Sequence, residues 1–362
     1  MIVTKTIKCK IIGLTQTKQQ LLTKEYVEAI KLNEFLNNIH KIGNPQDFNY
    51  KNIVSDLYSI TKANSIYKFR KGKRNQLLLP NQVVKLMKQQ TKLSSFWLRI
   101  PIFNVRGGIW VALGFGKKYV HILDNWKLRD SFIMKKNNEF YAYLTFQKEV
   151  EMRSSYENVL AIDLGEKVIA TVCDSFEQRP RFYGGEVRGI RRHYAWLRKR
   201  LGNKKLLKKI KSIGQTEQRK VDAILHKISR DIVDLAYKNN ALIVLGNLKG
   251  IRNNTKRGKR FNRIVSSMPF YKLTQFIEYK ANSLGIGIVK VNEKHTSKTC
   301  PRCGKIGVRK NQGLFVCSNC NFQLNADYNG AKNILKRSLE HVFSDGVIAY
   351  AQKPLIEKAS TY

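Results

Sequence analysis

Asn158-Val159-Leu160-Ala161-Ile162-Asp163-Leu164-Gly165 is the stretch on which the reading of this chain turns. Its apolar run is short, has the character of a buried strand, and ends on a carboxylate, Asp163. Ile286-Gly287-Ile288-Val289-Lys290-Val291-Asn292-Glu293 repeats the design, closing on Glu293. Around these two runs the patterning predicts strands at 157–164, 167–174 and 180–184 and basic helices at 187–202 and 204–239. A strand at 241–246, a helix at 269–284, the strand ending at Glu293 and a last helix at 325–338 follow, with Asp327 at the start of that helix.

The predicted order is βββαβαβα, three antiparallel strands followed by alternating strand and helix units, as in a ribonuclease H-like α/β fold. In such a fold the first strand and the last helix converge on one edge of the sheet, so Asp163 and Asp327 are expected to face one cavity. Carboxylates gathered there are what a two-metal nuclease uses to hold divalent cations. The competing readings are local: an acid at a strand end serves as a turn residue, and Asn325 or Asp327 serves only to cap its helix.

The first half of the chain reads differently. Residues 2–12 alternate as a strand, 17–42 as a helix, and helical patterns recur at 50–65 and 80–92. Short strands are expected at 96–105, 108–115, 119–123, 130–135 and 140–147, punctuated by turns such as Arg106-Gly107-Gly108. The expected architecture is an α+β multidomain chain. A β-barrel of residues 1–12 and 96–150 carries a helical insertion, 13–95. A nuclease-like domain of 151–299 and 321–340 holds a zinc ribbon at 300–320, and 341–362 form a tail.

Charge narrows the partner. The chain has 67 Lys and Arg against 26 Asp and Glu, a formal +41. Such a surplus is rewarded by phosphates and by the counterions they release. Membrane binding is disfavoured, because no long basic amphipathic helix shows a clean apolar face and no apolar run reaches about 18 residues. Met1-Ile2-Val3-Thr4-Lys5 lacks the pattern of a signal peptide. The expected location is therefore the cytoplasm, on the nucleoid, or the nucleus if the host is eukaryotic or viral.

Cys300-Pro301-Arg302-Cys303 and Cys317-Ser318-Asn319-Cys320 form two CxxC pairs, with the strand-like Gly313-Leu314-Phe315-Val316 between them. Four thiolates at that spacing suit one tetrahedral zinc in a closed, structural site. Cys9 and Cys173 lie far from them and are expected to be core thiols.

Residues 155–338 resemble the TnpB family, transposon-encoded proteins related to type V CRISPR effectors and to the Fanzor proteins. The resemblance rests on Leu160–Gly165, on Ile243-Val244-Leu245-Gly246-Asn247-Leu248-Lys249-Gly250-Ile251, and on Tyr279-Lys280-Ala281. It rests further on Glu293-Lys294-His295-Thr296-Ser297-Lys298-Thr299-Cys300-Pro301-Arg302-Cys303-Gly304 and on Asn325-Ala326-Asp327-Tyr328-Asn329. It implies a RuvC-like nuclease that cleaves target DNA under the direction of a guide RNA. One departure matters. The family's usual second acid ends the fourth strand, where this chain has Gly246. Either the site is inactive and the protein is an RNA-guided DNA binder, or Glu293 supplies the missing carboxylate from the neighbouring strand, about 4.8 Å away. In the second case Asp163, Glu293 and Asp327 hold two Mg²⁺ ions.

The basic residues expected to hold the guide–target duplex are Arg191, Arg192, Arg198 and Arg200 after the third strand and Arg252, Arg257 and Arg260 after the fourth. Arg70 and Lys71 in the insertion are expected to contact RNA, with Tyr67, Phe69 and Trp97 either stacking on bases or packing in the core.

Overall fold

The computed structural model describes residues 1–41, 43–47, 49–69, 75–177, 179–247, 269–311 and 313–344. The chain divides into two compact units, one of Ile2–Glu149 and one that runs on from Val150 and takes in Met1.

The first unit is built on β1 (Ile2–Ile12), β2 (Leu77–Leu79), β3 (Lys85–Lys88), β4 (Phe96–Ile102), β5 (Val105–Gly114), β6 (Lys127–Leu128), β7 (Ser131–Lys136) and β8 (Glu139–Glu149). They form an eight-stranded sheet in the order β2-β7-β8-β1-β5-β4-β3, with β6 on β8. The edge strands β2 and β3 are joined only by residues 80–84. That link reaches about 20 Å when extended, whereas a flat sheet would hold its edges about 29 Å apart. The sheet must therefore curl. No pairing closes it among the described residues, so it is a curled sheet rather than the expected closed barrel.

Alternation puts Ile7, Cys9 and Ile11 of β1 and Phe140, Ala142, Leu144 and Phe146 of β8 in the core. Against them lies α1 (Gln16–Ile39), which buries Leu22, Tyr26, Ala29, Leu32 and Leu36 at helical spacing; α2 (Ser59–Tyr67) follows. Glu25 is buried on α1, and its two oxygens accept from the backbone N–H groups of Tyr58 and Phe103, each at 2.9 Å.

Several expectations in this unit are corrected: the insertion 13–95 is not wholly helical, because β2 and β3 within it are the edges of the sheet, and the helix expected at 50–65 begins only at Ser59, as α2. The helix expected at 80–92 is a turn followed by β3, because Lys85–Lys88 pair with Phe96–Arg99 as a hairpin, and cross-strand pairing outweighs a weak local pattern. The strand expected at 119–123 is a short helix, α3 (Val120–Asn125). It buries the adjacent residues Ile122 and Leu123 together, which an alternating strand cannot do.

The second unit has a five-stranded sheet: β9 (Asn158–Asp163), β10 (Ala170–Asp174), β11 (Arg181–Tyr183), β12 (Ala241–Asn247) and β13 (Ile288–Asn292). The order is β11-β10-β9-β12-β13, with β9, β10 and β11 antiparallel and β12 and β13 parallel to β9. Val159, Leu160, Ala161 and Ile162 are all fully buried, so both faces of β9 are covered.

The helices are α4 (Glu186–Asn203), α5 (Leu207–Ile213), α6 (Thr216–Lys238), α7 (Phe270–Asn282) and α8 (Ala326–Ser344). The helix expected over 204–239 is broken after α5, where Gly214 takes φ +47. α6 feeds the core with Val221, Leu225, Ile228 and Ile232, and α8 with Ala331, Ile334 and Leu335. β14 (Val308–Arg309), β15 (Leu314–Val316) and β16 (Gln323–Asn325) make a small antiparallel sheet between β13 and α8 in sequence. Cys9 and Cys173 are buried thiols, pushed up by burial to about 12 and about 11. Among the described residues no helix is long and apolar enough to cross a membrane.

Candidate active site

Strand register brings the acids together. Leu245 of β12 pairs with Ile162 of β9, and Gly246 pairs with Val291 of β13. Side chains alternate along a strand, so Asp163, Gly246 and Val291 fall on one face. Glu293, two residues beyond Val291, falls on it too.

Glu293 lies directly over Gly246. A Cβ added to Gly246 would stand 1.6 Å from Glu293 Oε1 and 2.4 Å from its Cγ. The space that a side chain at Gly246 would enter is therefore taken by the carboxylate that follows β13. Gly330 of α8 plays a matching part for Asp163: a Cβ there would stand 2.5 Å from Asp163 Oδ2. The helix can close on the carboxylate only because that residue has no side chain.

Asp327 sits in the first turn of α8, 9% exposed. Asn325 Oδ1 accepts from the N–H groups of Asp327 and Tyr328, at 3.0 and 3.1 Å. Asn325 thus caps the helix, and the carboxylate of Asp327 is left free of that duty. Its Oδ1 instead accepts from the Arg309 guanidinium of β14, at 2.8 Å.

Electrostatics couples the three groups. Burial pushes the Asp163 carboxyl up to about 7; the neighbouring charge of Asp327 adds to this, while Arg309 and the Leu164 N–H oppose it. Burial pushes Glu293 up to about 8, with the charge of Asp163 adding. Glu293 Oε1 is shut from solvent without a hydrogen-bond partner. A buried acceptor with no donor, beside the Asp163 carboxyl whose charge raises it, fits a site completed by divalent cations.

These shifts fix a pH dependence. Folded pKa values above the ordinary 3.8 and 4.5 mean that the native state binds more protons than the unfolded chain. The stability these groups confer on metal-free protein is full at pH values below the ordinary ones and is lost as pH rises through about 7 to about 8. Tm without divalent metal is expected to fall between about pH 5 and about pH 9, less so in Asp163→Asn. Equal slopes for the two proteins would contradict the shared burial.

The loop that carries Glu293 is clamped by α8. Asn333 Nδ2 donates to the carbonyls of Thr296 and Thr299 at 2.8 and 2.7 Å, and Asn329 Nδ2 bonds the same pair. Arg337 donates to the carbonyls of Asn292 and Lys294 at 2.6 and 2.7 Å. The sequence reading missed Arg309, Gly330, Asn333 and Arg337. The i, i+4, i+8 spacing of Asn329, Asn333 and Arg337 was the available signal for three residues on one helix face.

Cys300, Cys303, Cys317 and Cys320 converge, their Sγ atoms all within 4.8 Å of one another. Cys300 and Cys320 Sγ are 3.7 Å apart, and Cys303 and Cys317 Sγ 3.5 Å. Tetrahedral zinc with bonds of about 2.3 Å would space its sulfurs at about 3.8 Å, so the cluster is compatible with that ion. Among the described residues no carboxylate group is gathered as tightly.

Of the basic residues singled out in the sequence, Arg191, Arg192, Arg198 and Arg200 all lie on α4. Arg192 and Arg200 are exposed, Arg200 over the ring of Trp196 at 5.2 Å. Arg198 pairs with Glu217 at 2.6 Å, and Arg191 is half-buried. Arg70, Lys71, Arg252, Arg257 and Arg260 lie outside the described residues. Tyr67 is exposed, whereas Phe69 packs against the core of the first unit and Trp97 is half-buried on β4.

Comparison with known proteins gives concordant matches. Residues 270–334 match the family model of the Cas12f1-like TNB domain. The chain is 30% identical over 239 residues to the TnpB-like protein MJ0751 of Methanocaldococcus jannaschii, covering 63% of this chain and 85% of that protein. It is also 30% identical over 233 residues to the CRISPR-associated endodeoxyribonuclease Cas12f1 of Sulfoacidibacillus thermotolerans. That match takes in 59% of this chain and about half of the relative's length, 53%. In fold, the chain is similar to Cas12f1 in a cryo-EM complex with sgRNA and target DNA, at a TM-score of 0.59 and 16% identity over 88% of this chain and 81% of that one.

Proposed function

We propose, since the chain belongs to the TnpB family, that it is a transposon-encoded, RNA-guided DNA endonuclease whose second unit is a RuvC-like, ribonuclease H-like nuclease. The proposed layout keeps residues 151–299 and 321–340 as the nuclease, 300–320 as a structural zinc ribbon, and the insertion, 13–95, as the part that grips RNA. Asp163, Glu293 and Asp327 form the proposed catalytic set.

The observation that carries the reading is Glu293 Oε1 standing 1.6 Å from where a Gly246 side chain would begin. Gly246 favours the alternative, an inactive RNA-guided DNA-binding protein; the carboxylate of Glu293 over Gly246 favours the nuclease. Two Mg²⁺ ions held by the three carboxylates would orient the attacking water and stabilise the leaving 3′ oxygen. The chain's own residues prepare that site. Glu293 reaches over Gly246 to complete the donor set, Asp163 links the other two acids, and Asn325 keeps Asp327 clear of capping. Arg309 balances the negative charge on Asp327. Asn329, Asn333 and Arg337 hold the loop that aims Glu293. Metal uptake requires deprotonated carboxylates, so occupancy rises with pH through about 7 to about 8. The exposed cations of α4 would track the phosphate backbone of guide RNA and target DNA without reading bases.

The test is to express the protein with its flanking locus, sequence the RNA that copurifies, and incubate the complex with a DNA library of randomised flanks in Mg²⁺. Cleavage at sites matched to the RNA, abolished in Asp163→Ala, is the expected result. Guide-dependent binding without cleavage by the wild type would overturn it in favour of a programmable DNA binder.

A further inference from the structure

A groove of about 460 Å³ runs between α4, the start of α6 and the first turn of α7, lined among others by Arg191, Arg198, Gln215, Gln218, Tyr271 and Lys272. None of the three proposed catalytic acids lines it. Its volume falls in the range of sites that enclose one small ligand.

Its charges are unequal in standing. Arg198 is paired with Glu217 and Lys272 with Asp222, each at 2.6 Å. Arg191 has no ion pair among the described residues, and its Nε is shut from solvent without a hydrogen-bond partner. Burial lowers the pKa of its guanidinium below the usual value, with Glu217 and Asp222 opposing. Nε is closed to any ligand in the groove, but Arg191 lines it and is half-buried, and a guanidinium without an ion pair there would gain from a phosphate oxygen on its terminal nitrogens.

The remaining lining differs in chemistry. Tyr271 is 71% exposed, and its ring has no ring partner among the described residues. The amides of Gln215 and Gln218 supply both donors and acceptors. The groove also holds the carboxylates of Glu217 and Asp222, which Arg198 and Lys272 pair; one cation without a direct ion pair, one exposed aromatic ring and two amides remain, and these match the parts of a nucleotide.

We infer that this groove is a subsite for a single unpaired nucleotide of the bound nucleic acid, its phosphate on Arg191, its base on the Tyr271 ring and its base edge on Gln215 and Gln218. The inference rests on the nucleic-acid reading of the chain. RNA and DNA share the chemistry, so the test must separate them.

The test uses the full chain, freed of RNA and without added divalent metal. Fluorescence anisotropy would compare an oligouridylate, an oligothymidylate and an abasic strand of equal length. The wild type is expected to prefer base-bearing strands by about tenfold, the effect of one stacked base. Tyr271→Ala should lose that preference with little change for the abasic strand, and Gln218→Ala should reduce it. Tyr271 is exposed, so its replacement leaves the fold intact, as an unchanged Tm would verify. Whether uridylate or thymidylate binds more tightly identifies the strand that supplies the nucleotide. Retention of the base preference by both variants would overturn the subsite and leave the nucleic-acid reading standing. A wild type that bound no strand would end both.

Discussion

Gly246→Ala is expected to abolish DNA cleavage while leaving the protein folded. The new Cβ would stand 1.6 Å from Glu293 Oε1, 2.3 Å from Cδ and 2.4 Å from Cγ, so the Glu293 side chain must leave. It can leave, because it is flexible and follows the last residue of β13. Gly246 itself has no positive φ, so the alanine backbone is unstrained. Moving Glu293 outward also frees a buried oxygen that now has no hydrogen-bond partner, which offsets what repacking costs. We expect a stability change within about 1 kcal/mol and a loss of cleavage of about 100-fold or more, the scale seen when a metal site loses its geometry. The companion experiment is Gly246→Glu in a Glu293→Ala background. It returns the carboxylate to β12 and should recover part of the activity that Glu293→Ala loses. Wild-type cleavage by Gly246→Ala would mean that the Glu293 carboxylate takes no part.

Zinc removal is expected to be as damaging, although zinc would touch no reacting atom. The ribbon's own core consists of Cys300, Phe315, Cys317 and Ala326, far too little apolar surface to fold a segment unaided. Metal binding at such sites is folding free energy, about 10 kcal/mol or more. The segment lies between Glu293 and Asp327 in sequence and supplies Arg309 to Asp327. Cys317→Ser, or a strong chelator, is therefore expected to release Arg309 and to loosen Thr296 and Thr299 from Asn333. Zinc content should fall from one ion per chain, amide exchange should accelerate across 292–325, and cleavage should be lost with Asp163, Glu293 and Asp327 all intact. Zinc-free protein that still protected those amides would contradict the structural role.

The parts of this fold legible in the sequence are those where burial dictates the letters. β9 is buried on both faces, so its apolar run and terminal Asp163 announce it, and the same logic located β12 and β13. The cysteine pairs were legible because four thiolates that converge on one point need such a spacing. Glu293 could be singled out as a candidate donor because it follows a strand beside the one that ends at Gly246–Asn247. What the letters could not show was position across elements. The Arg309 contact with Asp327 and the bare backbone of Gly330 under Asp163 depend on how the ribbon and α8 meet the sheet. In the first unit, β3 and α3 were misread because pairing with β4 and the burial of Ile122 beside Leu123 override weak local patterns. The curl of the sheet follows from the short link between its edge strands, which becomes evident only once β2 and β3 are known to be strands.

The measurement that tests the central claim most directly is anomalous diffraction from crystals soaked in Mn²⁺, which accepts the same oxygen donors as Mg²⁺. Ions at the strand ends with Glu293 among their ligands, and loss of occupancy in Glu293→Gln, is the predicted result. Ions held by Asp163 and Asp327 with Glu293 turned away, or no ions at all, would contradict it.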